Sequence, residues 1–105
     1  MNKQLLELAR TQELRGNILK IAYEAMPLGA GFTLVKIVLD NLHLDFNEEE
    51  IKRAAFYLVE KDLVKIQKVE NKQQGIDRDI VSITPLGIDV QDGLSEVAGI
   101  TLVSD

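Results

Sequence analysis

A stretch in the middle of the chain constrains the fold more than any other. Residues 47–62 are Asn-Glu-Glu-Glu-Ile-Lys-Arg-Ala-Ala-Phe-Tyr-Leu-Val-Glu-Lys-Asp, and residues 63–66, Leu-Val-Lys-Ile, follow at once. Asn47 and Glu50 have the spacing of a capping box, in which each side chain binds the other residue's backbone N–H. Apolar residues recur at helical spacing up to Asp62 and alternate after it. The pattern predicts a capped amphipathic helix that leads directly into a β-strand.

Helices are also predicted before this stretch. Residues 2–26 combine helix-forming residues with apolar spacing, and Pro27 ends the segment. Gly16 weakens its middle, so the pattern fits either one long helix or a short leading helix followed by a main helix. Residues 34–42 are apolar on almost every side. They predict a short helix that is capped by Thr33 and buried between other helices.

A hairpin is predicted after the capped helix. Apolar and polar residues alternate over residues 64–67 and again over residues 79–84. The polar segment between them, residues 71–78, contains a glycine and predicts a loop longer than a two-residue turn. Residues 28–31, Leu-Gly-Ala-Gly, predict a flexible turn without regular structure.

The end of the chain predicts one more helix and a tail. Thr84 is a suitable N-cap, Pro85 suits the first helical position, and Gly93 suits the end of the helix. Residues 94–105 are unusually apolar for a chain terminus. Two arrangements fit this tail: an extended segment that packs on the body of the protein, or a segment at a dimer interface.

This order of elements predicts a mainly α, α+β fold of the winged helix-turn-helix type. It has three helices, a two-stranded β-hairpin wing, a short C-terminal helix and an additional N-terminal helical segment. A chain of 105 residues has the size of one domain. We therefore predict a single domain over residues 1–105. Residues 1–14 would form a helical extension, residues 15–93 the winged-helix core and residues 94–105 the apolar tail.

Short patterns in the sequence resemble those of known winged-helix proteins. Residues 83–87, Ile-Thr-Pro-Leu-Gly, resemble the exit from the wing in MarR-like and PadR-like regulators. Four stretches resemble small winged-helix proteins encoded by Mu-like phages and prophages: residues 13–21, 47–64, 83–93 and 97–100. Those proteins have a Val-Pro-Gly-Val-like tail, and Ala98 stands here in place of the proline. The resemblance implies a winged-helix fold and a phage context, and it implies no particular activity.

The composition argues against catalysis and metal binding. The chain has no cysteine and a single histidine, His43, so no site built on several Cys or His ligands can form. The sequence has no phosphate-binding loop and no nucleophile elbow. We predict no enzyme activity, no cofactor, no metal site and no small-molecule substrate. No apolar run resembles a signal peptide or a membrane span, so we expect a cytoplasmic protein without a membrane partner.

Double-stranded DNA is the first predicted partner, because the third helix and the wing are the elements that contact DNA in winged-helix proteins. The candidate DNA-binding side chains are Asn47, Lys52, Arg53, Lys65, Lys68, Lys72 and Arg78. Residues 47–62 carry three basic and five acidic side chains, whereas residues 63–78 carry four basic and two acidic ones. The net charge of the chain is −5, which opposes binding to a polyanion. The wing is therefore a better candidate for DNA contact than the helix.

The alternative is an acidic winged-helix module for protein interaction or assembly that does not bind DNA. Winged helices serve both purposes, and the fold alone does not decide between them. In the DNA-binding hypothesis we expect a regulatory protein that acts as a homodimer. Leucines without an evident place in the core are the candidate dimer contacts: Leu5, Leu6, Leu8 and Leu102.

Overall fold

The computed structural model of the chain describes residues 2–104. Within this range the chain forms four helices and three strands: α1 (Lys3–Glu24), β1 (Ala30–Gly31), α2 (Phe32–Asn41), α3 (Glu48–Glu60), β2 (Val64–Asn71), β3 (Ile76–Ile83) and α4 (Pro85–Gln91). The strands form one antiparallel sheet in the order β1-β3-β2, and about half of the residues are helical. The predicted α+β class is confirmed.

The second half of α1 lies at the centre of the molecule. α1 is one continuous helix through Gly16, so the first of the two predicted alternatives is correct. Its buried apolar residues are Leu14, Ile18, Leu19, Ile21 and Ala22. This half of α1 belongs to a single core that also includes residues of α2, α3, the sheet and α4. By contrast, residues 3–11 of the same helix are exposed along their whole length.

The predicted start of α3 is confirmed in detail. Asn47 Oδ1 accepts a hydrogen bond from the Glu50 backbone N–H at 2.8 Å, and Glu50 Oε1 accepts one from the Asn47 N–H at 3.0 Å. These reciprocal bonds satisfy two donors that a helix start leaves free. The apolar stripe of α3 is buried through Ile51, Ala55 and Leu58. Two residues after the end of α3, Asp62 adopts a positive φ of 60° and turns the chain towards β2.

The sheet differs from the prediction in two places. Residues 30 and 31, predicted within a turn, form β1 and pair with Val81 and Ile80 of β3. A strand of two residues has no alternation that a sequence pattern can reveal. The predicted loop over residues 71–78 is too long, because Asn71 pairs with Ile76 and the connection is only residues 72–75. Backbone hydrogen bonds extend the hairpin although most side chains there are polar.

For α2, both the predicted first residue and the predicted burial of its side chains are wrong. Gly31 is the N-cap, so Thr33 lies inside the helix and does not cap it. Val35 and Leu39 are fully buried, whereas Leu34 and Ile37 keep about half of their surface exposed. The physical reason is that α2 follows β1 directly. The strand fixes where the helix begins, and the core covers only one side of it.

The end of the chain packs on the body of the protein. Thr84 caps α4 by accepting the Gly87 N–H at 3.0 Å, and Pro85 occupies the first helical turn, as predicted. Residues 97–104, which we call the strap, have no helix or strand and lie against α1. Val97 and Ile100 of the strap pack on the core. Of the two arrangements predicted for the tail, the single chain therefore forms the first.

The capping box makes the stability of the fold dependent on pH. The backbone N–H of Asn47 lowers the pKa of Glu50, and the guanidinium of Arg10, 2.7 Å from Glu50 Oε2, lowers it further. A carboxylate with a lowered pKa stabilises the fold fully above its ordinary pKa. That contribution is lost as the pH falls through the lowered value.

We expect Glu50→Gln, which keeps an acceptor for the Asn47 N–H but loses the negative charge beside Arg10, to reduce the free energy of unfolding near neutral pH by about 0.5–1 kcal/mol. The difference from the wild type should shrink as the pH falls from neutral to below the ordinary pKa of a glutamate, because the lowered pKa of Glu50 lies there. Urea denaturation across this range measures the effect. Glu49→Gln is the control, because it removes a carboxylate from the same helical turn without touching the capping box. If the difference in the free energy of unfolding between Glu50→Gln and the wild type stays the same at low pH, the stabilising role of the Glu50 carboxylate is contradicted.

Candidate nucleic-acid interface

The outward face of α3 carries two of the candidate cations, and both are paired. Lys52 Nζ lies 3.6 Å from Glu48 Oε1, and Arg53 Nη2 lies 3.6 Å from Glu49 Oε1. Each pair spans one helical turn and is exposed to solvent, so it contributes little to stability. It nevertheless places a carboxylate beside each cation. A phosphate that approached Lys52 or Arg53 would have to displace or tolerate that carboxylate.

Asn47 has a structural role at the start of α3. Its side-chain oxygen is engaged by the Glu50 N–H, as described above. Asn47 is exposed, so its amide NH2 group remains at the surface. The residue can therefore offer a donor to a phosphate while it caps the helix.

The hairpin has two faces of different charge. The strand register pairs Lys65 with Ser82 and Val69 with Arg78 on the face that points away from the core. The opposite face continues from the buried Val64 and Val81 towards the hairpin tip. Near the tip that second face carries one cation and three carboxylates: Lys68, Glu70, Asp77 and Asp79. Alternation along the strands thus separates a basic outer face from an acidic inner one.

Lys68 belongs to the acidic inner face. Its Nζ lies 3.5 Å from Glu70 Oε1 and 3.9 Å from Asp77 Oδ1. The carboxylate of Asp77 raises the pKa of Lys68, and Glu70 adds to the effect. Of the four candidate cations in and beside the hairpin, Lys68 is therefore the least suited to a phosphate.

The other three cations of the hairpin are not paired. No carboxylate of residues 2–104 lies within 4.0 Å of the charged groups of Lys65, Lys72 or Arg78. Lys65 and Arg78 lie on the outer face of the hairpin, and Lys72 lies in its turn. All three are exposed.

A groove of about 560 Å³ joins α3 to the hairpin. Lys52 of α3 and Arg78 of β3 both line it, as the DNA-binding hypothesis requires. Glu48, Asp77 and Asp79 line it as well, so the groove carries more negative than positive charge. The structure thus brings the two predicted elements together without forming a continuous basic surface.

Sequence reasoning missed the apolar part of this surface. Phe56 lies one turn after Lys52 on the outward face of α3 and is 56% exposed. Leu28 is 82% exposed and lines the groove together with Leu34. The helical spacing places Phe56 opposite the buried stripe of α3, and this signal was available in the sequence. The position of Leu28 depends on β1, which the sequence pattern did not reveal.

The candidate dimer contacts lie in two separate places. Leu5, Leu6 and Leu8 are all more than half exposed on the first turns of α1. Leu102 is 44% exposed, and its backbone lies beside Gly16 in the middle of α1. Leu8 and Gly16 are separated by about 12 Å along the helix.

Two further features concern metals and membranes. Over residues 2–104, no three His, Asp or Glu side chains are grouped in a way that could hold a metal ion. No helix in that range has the length and apolarity needed to cross a membrane.

Comparisons with protein-family models, with curated proteins and with solved structures find no match to this chain. We therefore infer function from the geometry and charge of the residues themselves.

The structural role of Asn47 can be tested directly. We expect Asn47→Ala to lower the free energy of unfolding by about 1 kcal/mol, because it removes the N-cap acceptor. Asn47→Asp should retain most of the stability, since its carboxylate can accept the same hydrogen bond. Asn41→Ala, an exposed change at the end of α2, is the control. Chemical denaturation measures the free energies of unfolding. An equal loss of stability in Asn47→Ala and Asn41→Ala would contradict the capping role of Asn47.

Proposed function

We propose that this chain is a winged-helix domain that binds double-stranded DNA mainly through its hairpin, as a regulatory protein of phage type. The order α1-β1-α2-α3-β2-β3 supports the winged-helix assignment, because a helix pair followed by a hairpin is its defining arrangement. The pairing of β1 with β3 ties the helix pair to the hairpin. The sequence resemblance to small phage winged-helix proteins supports the same assignment.

The observation that carries the DNA-binding proposal is the group of unpaired cations on the hairpin. Lys65, Lys72 and Arg78 need not leave a carboxylate to meet a phosphate, unlike Lys52 and Arg53. Phosphate contacts of this kind position a protein on DNA and carry no sequence information. The hairpin is therefore the main anchor in this proposal, and α3 lies beside the duplex with Lys52 and Arg53 already paired with carboxylates.

The charge distribution sets the strength of this binding. Three phosphate contacts give a slope of log K against log salt of about −2.7. The net charge of −5 on the chain adds repulsion that is strongest at low ionic strength. We therefore expect weak binding that is lost near physiological salt.

Removing two of the cations should reduce the salt dependence. For a duplex of about 25 bp, titrated between about 20 mM and about 200 mM KCl, the double variant Lys72→Ala/Arg78→Ala should lose about 2 units of slope. Fluorescence anisotropy of a labelled duplex measures this. Lys3→Ala, which removes a cation from the far end of α1, should leave the slope unchanged. If the wild-type chain does not bind the duplex at the lowest salt, the DNA-binding proposal is wrong.

A second candidate function has its own supporting observation. The groove between α3 and the hairpin has an apolar floor, with Leu28 82% exposed and with Phe32, Leu34 and Ile80 beside it. An apolar floor with a mixed-charge rim suits a protein segment better than it suits a duplex. We therefore retain an interaction module that does not bind DNA as the alternative.

The alternative predicts a different response to mutation. Leu28→Ser should leave DNA binding unchanged under the first proposal, because the leucine contributes no charge. Under the second proposal, Leu28→Ser should reduce the capture of a protein partner. The wild-type chain should then not bind the duplex. Comparing the variant in both assays, with Leu94→Ser as a control at another highly exposed leucine, separates the two functions.

A further inference from the structure

The strap is held on the body by hydrogen bonds to its main chain, in addition to the packing of Val97 and Ile100 on the core. Arg15 Nη1 donates to the Gly99 carbonyl at 3.1 Å, and Gln91 Nε2 donates to the Val103 carbonyl at 2.8 Å. The Thr101 N–H donates to the Gln12 carbonyl at 3.1 Å. Main-chain contacts of this kind recognise an extended segment with few demands on its side chains.

Two glycines make this close approach possible. Gly16 of α1 faces the strap, and a Cβ atom there would overlap the carbonyl of Thr101. Gly99 of the strap has a φ of +86°, and a Cβ atom there would overlap the hydroxyl of Tyr57. Gly16 is therefore placed where the helix must admit another backbone, which explains a glycine inside a continuous helix. We call Gln12, Arg15, Gly16, Tyr57 and Gln91 the strap site.

The strap does not use the whole site. Arg15 Nε and Gln91 Oε1 are buried, and neither has a hydrogen-bond partner among residues 2–104. Buried polar atoms without partners are costly, so these two atoms offset part of the stability that the strap contacts provide. The strap also lacks the ladder of hydrogen bonds that a strand or helix would give it.

The connection to the strap permits it to detach. Residues 92–96 contain no helix or strand, Gly93 has a φ of +82°, and Leu94 is 78% exposed. The Gly93 and Leu94 N–H groups donate to the Val90 and Asp89 carbonyls and fix the exit from α4, but no hydrogen bond within residues 2–104 holds Ser95 or Glu96. The chain can therefore change direction between Leu94 and the strap. The strap and its site lie on the same chain, so every copy of the protein carries both halves of the contact.

We propose that the strap is exchangeable, and that residues 97–104 of one copy occupy the strap site of a second copy. The contacts would be the same in both arrangements, which is the condition for exchange of an element between identical chains. In the wild type the short connection gives the strap an effective concentration in the millimolar range at its own site. The closed single chain is therefore the main form in dilute solution, and exchange increases with concentration. This inference does not depend on DNA binding.

Two complementary variants test the exchange. Gly16→Ala blocks the strap site and leaves the strap intact, whereas Gly99→Ala disables the strap and leaves the site intact. Neither variant alone can form the contact, in cis or in trans. An equimolar mixture can, because the strap of the first fits the site of the second. At about 100 µM, where a complex with a Kd of about 10 µM is largely formed, the mixture should sediment with more mass than either variant alone.

A labelled peptide of residues 94–105 gives a second measurement on full-length chains. It should bind the Gly99→Ala chain at least about tenfold more tightly than the wild type, whose own strap competes at high effective concentration. The double variant Gly16→Ala/Gly99→Ala should not bind it. Gly75→Ala is the matched control, because Gly75 also has a positive φ but no neighbour within 4 Å of an added Cβ.

The outcome is decisive even if one variant is unstable. Circular dichroism establishes that each chain is folded, and if Gly16→Ala is not, the peptide titration of Gly99→Ala decides alone. A folded Gly99→Ala chain that binds the peptide no better than the wild type overturns the proposal. So does a mixture of folded variants that sediments like its separate components.

Discussion

Burial of the second half of α1 is the constraint on which the other elements depend. Leu19 is fully buried and Ile18 is 1% exposed, and α1 contacts α2, α3, α4 and β3. Truncating a buried residue of this size to alanine typically costs about 2–5 kcal/mol, a large part of the stability of a small domain. The same helix holds the strap at Gly16. The buried surface of α1 thus positions the sheet, the other helices and the strap. It also determines which faces of α3 and the hairpin point outward.

This arrangement divides the charge of the candidate interface. Arg10 of α1 binds Glu50 and lies over the ring of Phe46, at 4.3 Å from its centroid, which fixes the start of α3. The remaining glutamates of that turn are left to pair with Lys52 and Arg53. The hairpin is held only at its base, and its outer face keeps its cations unpaired. Helix geometry therefore pairs the cations of α3 with carboxylates, whereas strand alternation leaves one face of the hairpin basic.

Local patterns in the sequence were sufficient for much of the fold. The capping box at Asn47, the Thr84-Pro85 helix start and the order of the main helices and strands depend on neighbouring residues, and all are confirmed. β1 and the path of the strap depend on residues distant in sequence, and a local pattern cannot report them. Gly16 shows the difference clearly. By propensity it weakens a helix, but its structural reason is a backbone carbonyl 85 positions later in the sequence.

The sequence was sufficient to predict which helix and which hairpin form the candidate site. It was not sufficient to predict how charge is distributed over their faces. Counting charges indicated that the hairpin is more basic than α3, but it could not separate Lys68 from Lys65 and Arg78. That separation depends on strand register, which places Lys68 among carboxylates and the other two on the opposite face. The apolar floor of the groove depends on β1 and so escaped notice as well.

In our proposal, DNA contacts the hairpin and not the outward face of α3. An NMR titration of the isotope-labelled chain with a short duplex at low salt tests it most directly, because each backbone amide reports separately. We expect the largest shifts for the amides at and near Lys65, Lys72 and Arg78, and small shifts for those of Lys52, Arg53 and Phe56. Shifts concentrated on α3, or no shifts on any element, would contradict it.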